Sequence, residues 1–263
     1  MMNDTPQIPD NMFGLTVKEI EHYTDKLFRF RTNRPQEFRF RSGEFVMIGL
    51  PDLDRVWRAY SVASPSWDDE LEFYSIKVPD GPLTSKLQHI VEGDLVLMKK
   101  KPTGTLVHDA LIPGKRLYLF STGTGLAPFA SIIRDPETYD KFEQVIVTHT
   151  CRINAELAYG MHLMDEIKQH EFLGEMTKDK LIHFASVTRE EGPHQGRITD
   201  LIETGKLFEL LGVPPLNPET DRVMMCGSMP MIQDTKDLVE QAGLTEGSNS
   251  RPGQFVVERA FAG

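Results

Sequence analysis

The chain is 263 residues long, with 40% hydrophobic and 26% charged residues and a formal net charge of −10. That length favours two domains over one, the acidity argues against a nucleic-acid partner, and no run nears the roughly 20 apolar residues of a membrane span. Two cysteines, Cys151 and Cys226, are too few for an iron–sulfur cluster, which takes about four thiolates, and the scattered histidines show no metal spacing, so no resident cluster or metal is expected. From Leu15 to about Met98 short apolar runs alternate with turn residues: Leu15 to Val17, Leu27 to Arg31, Phe45 to Leu50, Leu71 to Val78 and Leu95 to Met98. Asn33, Pro35, Gly43, Pro51, Pro79-Asp80-Gly81 and Gly93-Asp94 punctuate them, which predicts an antiparallel β-barrel with one helix from Leu83 to Ile90. After Pro113-Gly114 the pattern changes to strand runs at Leu117 to Phe120, Val145 to Val147, Leu181 to Val187, Val223 to Met225 and Phe255 to Val257. Helices are predicted to start near Pro128, Ala155, Ile198 and Pro230, giving βα repeats and a parallel sheet. The expected division is a barrel domain over residues 1–105 and an α/β domain over 106–263. The amino terminus, Met1 to Pro6, lacks a basic and apolar leader, so the expected compartment is the cytoplasm.

Candidate chemistry begins at Arg58-Ala59-Tyr60-Ser61, where Arg58 and Tyr60 share one face of a strand. A planar cation and an aromatic ring so placed can hold a pyrophosphate and cover a flat ring system, although an ordinary strand with a snorkelling arginine reads the same way. Gly123-Thr124-Gly125 sits where a strand meets a helix, and two glycines there let a phosphate or ring approach the backbone. It is not the G-x-G-x-x-G dinucleotide fingerprint, because Pro128 stands at the third glycine. Arg152, Arg189 beside Thr188, and Arg197 fall at or after the ends of the next two strands and suit a 2′-phosphate better than a bare ribose, which favours NADP over NAD. Cys226-Gly227-Ser228 closes a further strand at the same sheet edge, where the thiol either packs on a nicotinamide ring or is simply buried. Charge is uneven: residues 1–116 hold 16 basic and 17 acidic side chains, the remainder 13 and 22. Arg29, Arg31, Arg34, Arg39 and Arg41 cluster in the first part, either as a solvated barrel face or as a docking patch for an acidic partner.

Taken in order, Arg58 to Ser61, Phe73 to Ser85, Gly123 to Pro128, Cys226 to Ser228 and Val256 to Phe261 resemble the bacterial ferredoxin–NADP reductases over nearly the whole chain. The resemblance implies an FAD-binding barrel, an NADP-binding α/β domain, a monomer, and ferredoxin or flavodoxin as an acidic electron carrier. It implies that Arg58 holds the FAD pyrophosphate, Tyr60 lies along the isoalloxazine and Ser61 sits by its N5. Tyr74, Ser75, Ile76, Lys77, Pro82, Leu83, Thr84 and Ser85 would surround the rest of FAD, with the Thr84 hydroxyl on a phosphate. Ala260 and Phe261 would cover the flavin, where plastid-type relatives place a terminal tyrosine. Ser61, Cys226 and Glu258 are the candidate catalytic groups. An NAD(P)H:flavin or quinone reductase and a non-catalytic flavin-binding module carry the same cofactor motifs and are the alternatives.

Overall fold

The computed structural model describes residues 8–53 and 56–260. The N-terminal part holds strands β1 (Met12–His22), β2 (Leu27–Asn33), β3 (Phe45–Gly49), β4 (Arg58–Ser61) and β5 (Glu70–Ile76), a short helix α1 (Thr84–Leu87), and β6 (Leu95–Lys99). All pair antiparallel in the order β4-β3-β6-β1-β2-β5. The two ends of this sheet are drawn together where Ala63 N–H donates to the Glu72 carbonyl at 2.8 Å, leaving a nearly closed barrel. Alternation fills it: Leu15, Val17, Phe28, Phe30, Val46, Ile48, Leu71 and Phe73 all point inward. The helix expected from Leu83 to Ile90 is one turn long. Its end tightens into three-residue bonds, His89 N–H to Lys86 O and Ile90 N–H to Leu87 O, which do not continue an α-helix.

The second part holds β7 (Arg116–Thr122), α2 (Leu126–Ile133), α3 (Pro136–Lys141), β8 (Gln144–Cys151), α4 (Ala158–Gln169), α5 (Leu173–Thr177), β9 (Leu181–Val187), α6 (Ile198–Glu203), α7 (Lys206–Leu211), β10 (Asp221–Gly227), α8 (Met229–Gln241) and β11 (Phe255–Arg259). The five strands form a parallel sheet in the order β11-β10-β7-β8-β9. Its strands read as unbroken apolar runs because helices cover both faces. Leu117, Leu119, Val145, Val147 and Met224 pack against α2 and α4, while Tyr118, Phe120, Ile146, Val223 and Met225 pack towards α6, α7 and α8. Pro128 is the third residue of α2 rather than its first, a position whose N–H has no intrahelical acceptor in any case. The helix expected near Ala155 begins as a 3-10 turn, Asn154–Leu157, and becomes α-helical at Ala158.

The two parts share a core. Leu27, Ala63 and Tyr74 of the barrel's outer face belong to the same apolar cluster as α2 and α4. Across this junction the buried Glu72 carboxylate accepts from Arg134 at 2.9 Å and from the Tyr159 hydroxyl at 2.7 Å, and Arg29 reaches its other oxygen at 3.3 Å. Arg134 also donates to the Ala63 carbonyl, and Asp135 accepts from Ser42 and Ser66.

The arginine cluster is mostly consumed by these contacts rather than offered to a partner. Arg29 is 6% exposed and bridges Glu19, Glu21 and Glu72; Arg31 pairs with Asp68 and Glu70; Arg34 donates to the carbonyls of Phe38, Ser66 and Asp68; and Arg41 pairs with Glu44 and Asp109. Of the five, Arg39 is the exposed cation without a carboxylate partner among the described residues. Several of its neighbours' partners, Glu72, Asp68, Glu70, Ser66 and Asp109, lie tens of residues away in the chain, which is why the cluster read as a surface patch.

Candidate active site

In a parallel sheet the ligand crevice lies at the carboxyl ends of the strands where the strand order reverses. Here the chain runs outward from β7 through β8 to β9, then returns to place β10 on the opposite side of β7. The crevice therefore falls between the turns after β7 and β10, which are Gly123 to Gly125 and Gly227 to Ser228. These turns touch through glycine: a Cβ at Gly125 would collide with the Cys226 carbonyl, and one at Gly227 with the Thr122 hydroxyl. Gly123 differs, having φ of +54° and nothing within 4 Å of where its Cβ would stand, so that side of the turn is open.

The barrel closes this crevice from the other side. A pocket is lined by Ala59, Tyr60, Ser61, Tyr74, Ser75 and Ile76 of β4 and β5 and by Thr84 at the start of α1. Opposite them stand Thr124, Ala127, Cys226 and Ala260. Ten of these eleven were singled out from sequence. Ala127 was not, because a small apolar residue in a helix carries no chemical signal. Ala260 reaches the pocket through its N–H, which donates to the Gly227 carbonyl at 3.0 Å. Phe261 lies outside the described residues.

Tyr60 is buried, its ring edge-on to Phe73, with its hydroxyl 3.1 Å from that of Ser75. Burial pushes the phenol up to about 12, so it stays neutral. Tyr74 stacks on Tyr159 with ring centroids 4.1 Å apart, and its buried hydroxyl has no hydrogen-bond partner. Arg58 donates to the Trp57 carbonyl at 2.9 Å and meets no carboxylate among the described residues. An orphaned buried hydroxyl, an arginine without a counter-charge and a tyrosine-lined slot fit a planar ring system carrying phosphates.

Other expected contacts are arranged differently. The Thr84 hydroxyl donates to the Val78 carbonyl at 3.2 Å and so is spent as a donor; it can meet a phosphate only after turning. The Lys77 ammonium donates to the Thr24 carbonyl, and Leu83 is buried in the barrel core, leaving its backbone alone for a ligand. Pro82 is exposed and Ser85 half-buried, both outside the pocket lining.

Cys226 is buried at the end of β10 and registers directly beside Glu258 of β11. Burial, reinforced by that carboxylate, holds the thiol well above its ordinary range and therefore protonated. Glu258 is half-buried and accepts from Thr105 N–H at 3.1 Å. Burial raises it to about 7, helped by Glu44 and opposed by that N–H. The neighbouring Ser228 is exposed.

Arg152 and Arg189 meet at the ends of β8 and β9, where Arg189 N–H donates to the Arg152 carbonyl at 3.0 Å, and Thr188 binds the Cys151 carbonyl. Both arginines and Arg197 are exposed, and no carboxylate among the described residues pairs with them. The nearby Glu190 carboxylate accepts from the Asn154 N–H instead, and the Asn154 amide donates to the Glu191 backbone carbonyl. Three uncompensated cations along one sheet edge suit a phosphate.

Comparison with known proteins agrees with this geometry. Residues 13–108 match the oxidoreductase FAD-binding domains and residues 119–237 the oxidoreductase NAD-binding domains. The chain is 55% identical to a flavodoxin/ferredoxin–NADP reductase of Rhodobacter capsulatus, covering 100% of this chain and 99% of that protein. It is 51% identical to a ferredoxin–NADP reductase of Pseudomonas aeruginosa, covering 95% and 98%. Among solved structures, a ferredoxin NADP+ reductase from Neisseria gonorrhoeae with bound FAD and NADP superposes with a TM-score of 0.86 at 29% identity, covering 96% of this chain and 100% of that one. The chain belongs to the ferredoxin/flavodoxin–NADP reductase family.

Proposed function

We propose that this protein binds FAD in the slot between barrel and parallel sheet and exchanges electrons between NADPH and ferredoxin or flavodoxin. The observation that carries this reading is one pocket in which Tyr60, Ser61 and Ser75 of the barrel face Thr124 and Cys226 of the sheet's switch point. The nicotinamide donor and the flavin acceptor ring must be stacked closely for hydride transfer, and such a shared pocket allows that. When bound, FAD supplies the chemistry of the exchange, taking a hydride from NADPH and releasing electrons singly.

The chain's own residues bind, orient and shield. Arg58 offers its guanidinium to the pyrophosphate, in the forked geometry that matches phosphate oxygens. Tyr60 would support the ring system, and the Ser61 hydroxyl would donate to it, both side chains lining the pocket. Tyr74 offers its unpaired hydroxyl to the same ligand. Gly123 and Gly125 keep the nucleotide's path free of side chains, and the neutral Cys226 thiol packs where a nicotinamide would lie. Kept protonated, the thiol would add no charge beside the bound cofactors. Glu258, poised near neutrality, can hold or give a proton at its carboxylate as charge changes beside it. Arg152, Arg189 and Arg197 select the 2′-phosphate. No helix among the described residues is long and apolar enough to cross a membrane, and two free buried cysteines support a cytoplasmic compartment.

The test is anaerobic titration of the FAD-loaded protein. NADPH should bleach the oxidised-flavin absorbance, and Arg152→Ala with Arg189→Ala should make NADPH and NADH equivalent. A flavin that neither nucleotide bleaches contradicts the reading.

A further inference from the structure

His149 is fully buried on β8, paired in register with Ser121 just before the Gly123 turn. Its ring cannot swing away, because Gly160 of α4 lies so close that a Cβ there would sit 2.7 Å from Nδ1. Nδ1 has no hydrogen-bond partner. Nε2 lies 3.2 Å from the Gly123 carbonyl and 3.2 Å from Cys151 Sγ. The thiol in turn lies 3.5 Å from the Glu156 carbonyl. One proton arrangement satisfies this set. The single Nε2–H is shared between the Gly123 carbonyl and the Cys151 sulfur, and the S–H points to the Glu156 carbonyl; the opposite tautomer would strand an N–H donor at Nδ1. Burial drives the imidazole down to about 3 and the Cys151 thiol up to about 12, so the pair stays neutral and is not a nucleophilic dyad.

The consequence passes through the peptide plane. The C=O and the following N–H of a trans peptide point in opposite directions. With the Gly123 carbonyl held inward by His149 and by Leu126 N–H, the Thr124 N–H must point outward. As the second residue of its turn, Thr124 has no acceptor for that N–H within the turn, and it lines the pocket beside Cys226. We propose that His149 is a positioning residue for the nicotinamide nucleotide, fixing the Gly123 peptide so that the Thr124 N–H is presented to the ligand. This rests on the reading that the Gly123 to Gly125 turn contacts the nucleotide.

The experiment titrates FAD-loaded full-length protein calorimetrically with NADP+ and with 2′,5′-adenosine diphosphate, which carries the 2′-phosphate but lacks the nicotinamide half. His149→Leu should raise the Kd for NADP+ about tenfold, as loss of one fixed hydrogen bond would, and leave that of the short probe within about twofold. FAD content should be unchanged. His149→Gln, whose amide nitrogen reaches the Nε2 position, should restore NADP+ binding to within about threefold, whereas His149→Asn, one bond shorter, should bind like Leu. If His149→Leu fails to hold FAD, the Gln and Asn variants decide alone. Unchanged NADP+ affinity in the Leu variant, equal weakening of both probes, or identical behaviour of Gln and Asn would overturn the proposal. Gly123→Ala places a methyl group on the open face of the turn, so it should weaken NADP+ binding whatever His149 does. If it does not, the nucleotide-site reading fails rather than the role of His149 alone.

Discussion

Single residues carry the cofactor chemistry, and their environments set testable expectations. Arg58→Ala should give a folded protein that loses FAD on dilution, because a charge-assisted pair is worth roughly 1.5–3 kcal/mol, about 10- to 150-fold in affinity. Full FAD occupancy after gel filtration of the variant would show that the pyrophosphate binds elsewhere. Arg152→Ala should raise KM for NADPH by a similar factor and leave KM for NADH nearly unchanged; equal losses would remove the 2′-phosphate assignment. Glu258 gives a pH signature. Its carboxyl sits at about 7 in the folded chain against an ordinary 4.5. Between those values the native state holds a proton that the unfolded chain has released, so this group's contribution falls as pH rises through that window. Glu258→Gln should therefore flatten the decline in Tm between about pH 5 and 8, and an unchanged slope would mean the carboxylate is ordinary. The types of residue at this site were legible from sequence, since Arg-x-Tyr-Ser and Gly-x-Gly leave local traces. Their partners were not: that Thr84 and Lys77 spend their donors on backbone carbonyls, or that His149 reaches Gly123, depends on contacts made across the fold.

At the scale of elements, strands were readable and most short helices were not, α6 at Ile198 being the exception. A parallel sheet covered on both faces writes unbroken apolar runs such as Leu117 to Phe120, and barrel strands write alternation. Helices α3, α5 and α7 span only five or six residues, too few to display a 3.6-residue period. The outer face of β5 was equally opaque. Glu72 and Tyr74 point away from the barrel interior, yet both are buried because α2 and α4 lie over them. Glu72 tests this junction. Burial alone would raise its pKa, but Arg134, the Tyr159 hydroxyl and Arg29 outweigh burial and hold it near 2. A depressed carboxylate stabilises fully above its unfolded pKa, so about 3 kcal/mol should vanish as pH falls from about 4.5 to 2. Glu72→Ala, which strands Arg134 in the interior, should cost about 3–5 kcal/mol in urea unfolding at neutral pH. A loss below about 1 kcal/mol, the size expected of an exposed pair, would mean that the junction is held by apolar packing instead.

For the whole molecule, the asymmetry of charge survives the correction of its details. Residues 117–263 carry 13 basic and 22 acidic side chains, so an acidic carrier would be disfavoured on the α/β half and steered to the barrel. Among the described residues of the barrel, the exposed cations without a carboxylate partner are Lys18, Lys26, Arg39, Lys100 and Lys101 rather than the five-arginine cluster. Arg39→Glu should slow carrier reduction, while reduction of ferricyanide, which needs no docking surface, stays comparatively intact. Reversing Arg41 would instead break its pairs with Glu44 and Asp109. The central claim is that one pocket couples NADPH to a protein carrier through bound FAD. It is tested most directly by anaerobic turnover of the FAD-loaded chain with NADPH or NADH against ferredoxin, flavodoxin and free flavin. NADPH should drive carrier reduction at least about tenfold better than NADH in kcat/KM. Carrier reduction should also weaken as ionic strength rises from about 0.01 M to 0.1 M and the Debye length shrinks from about 30 to 10 Å. Rapid reduction of free flavin with both carriers left oxidised, or turnover indifferent to nucleotide and to salt, would contradict it.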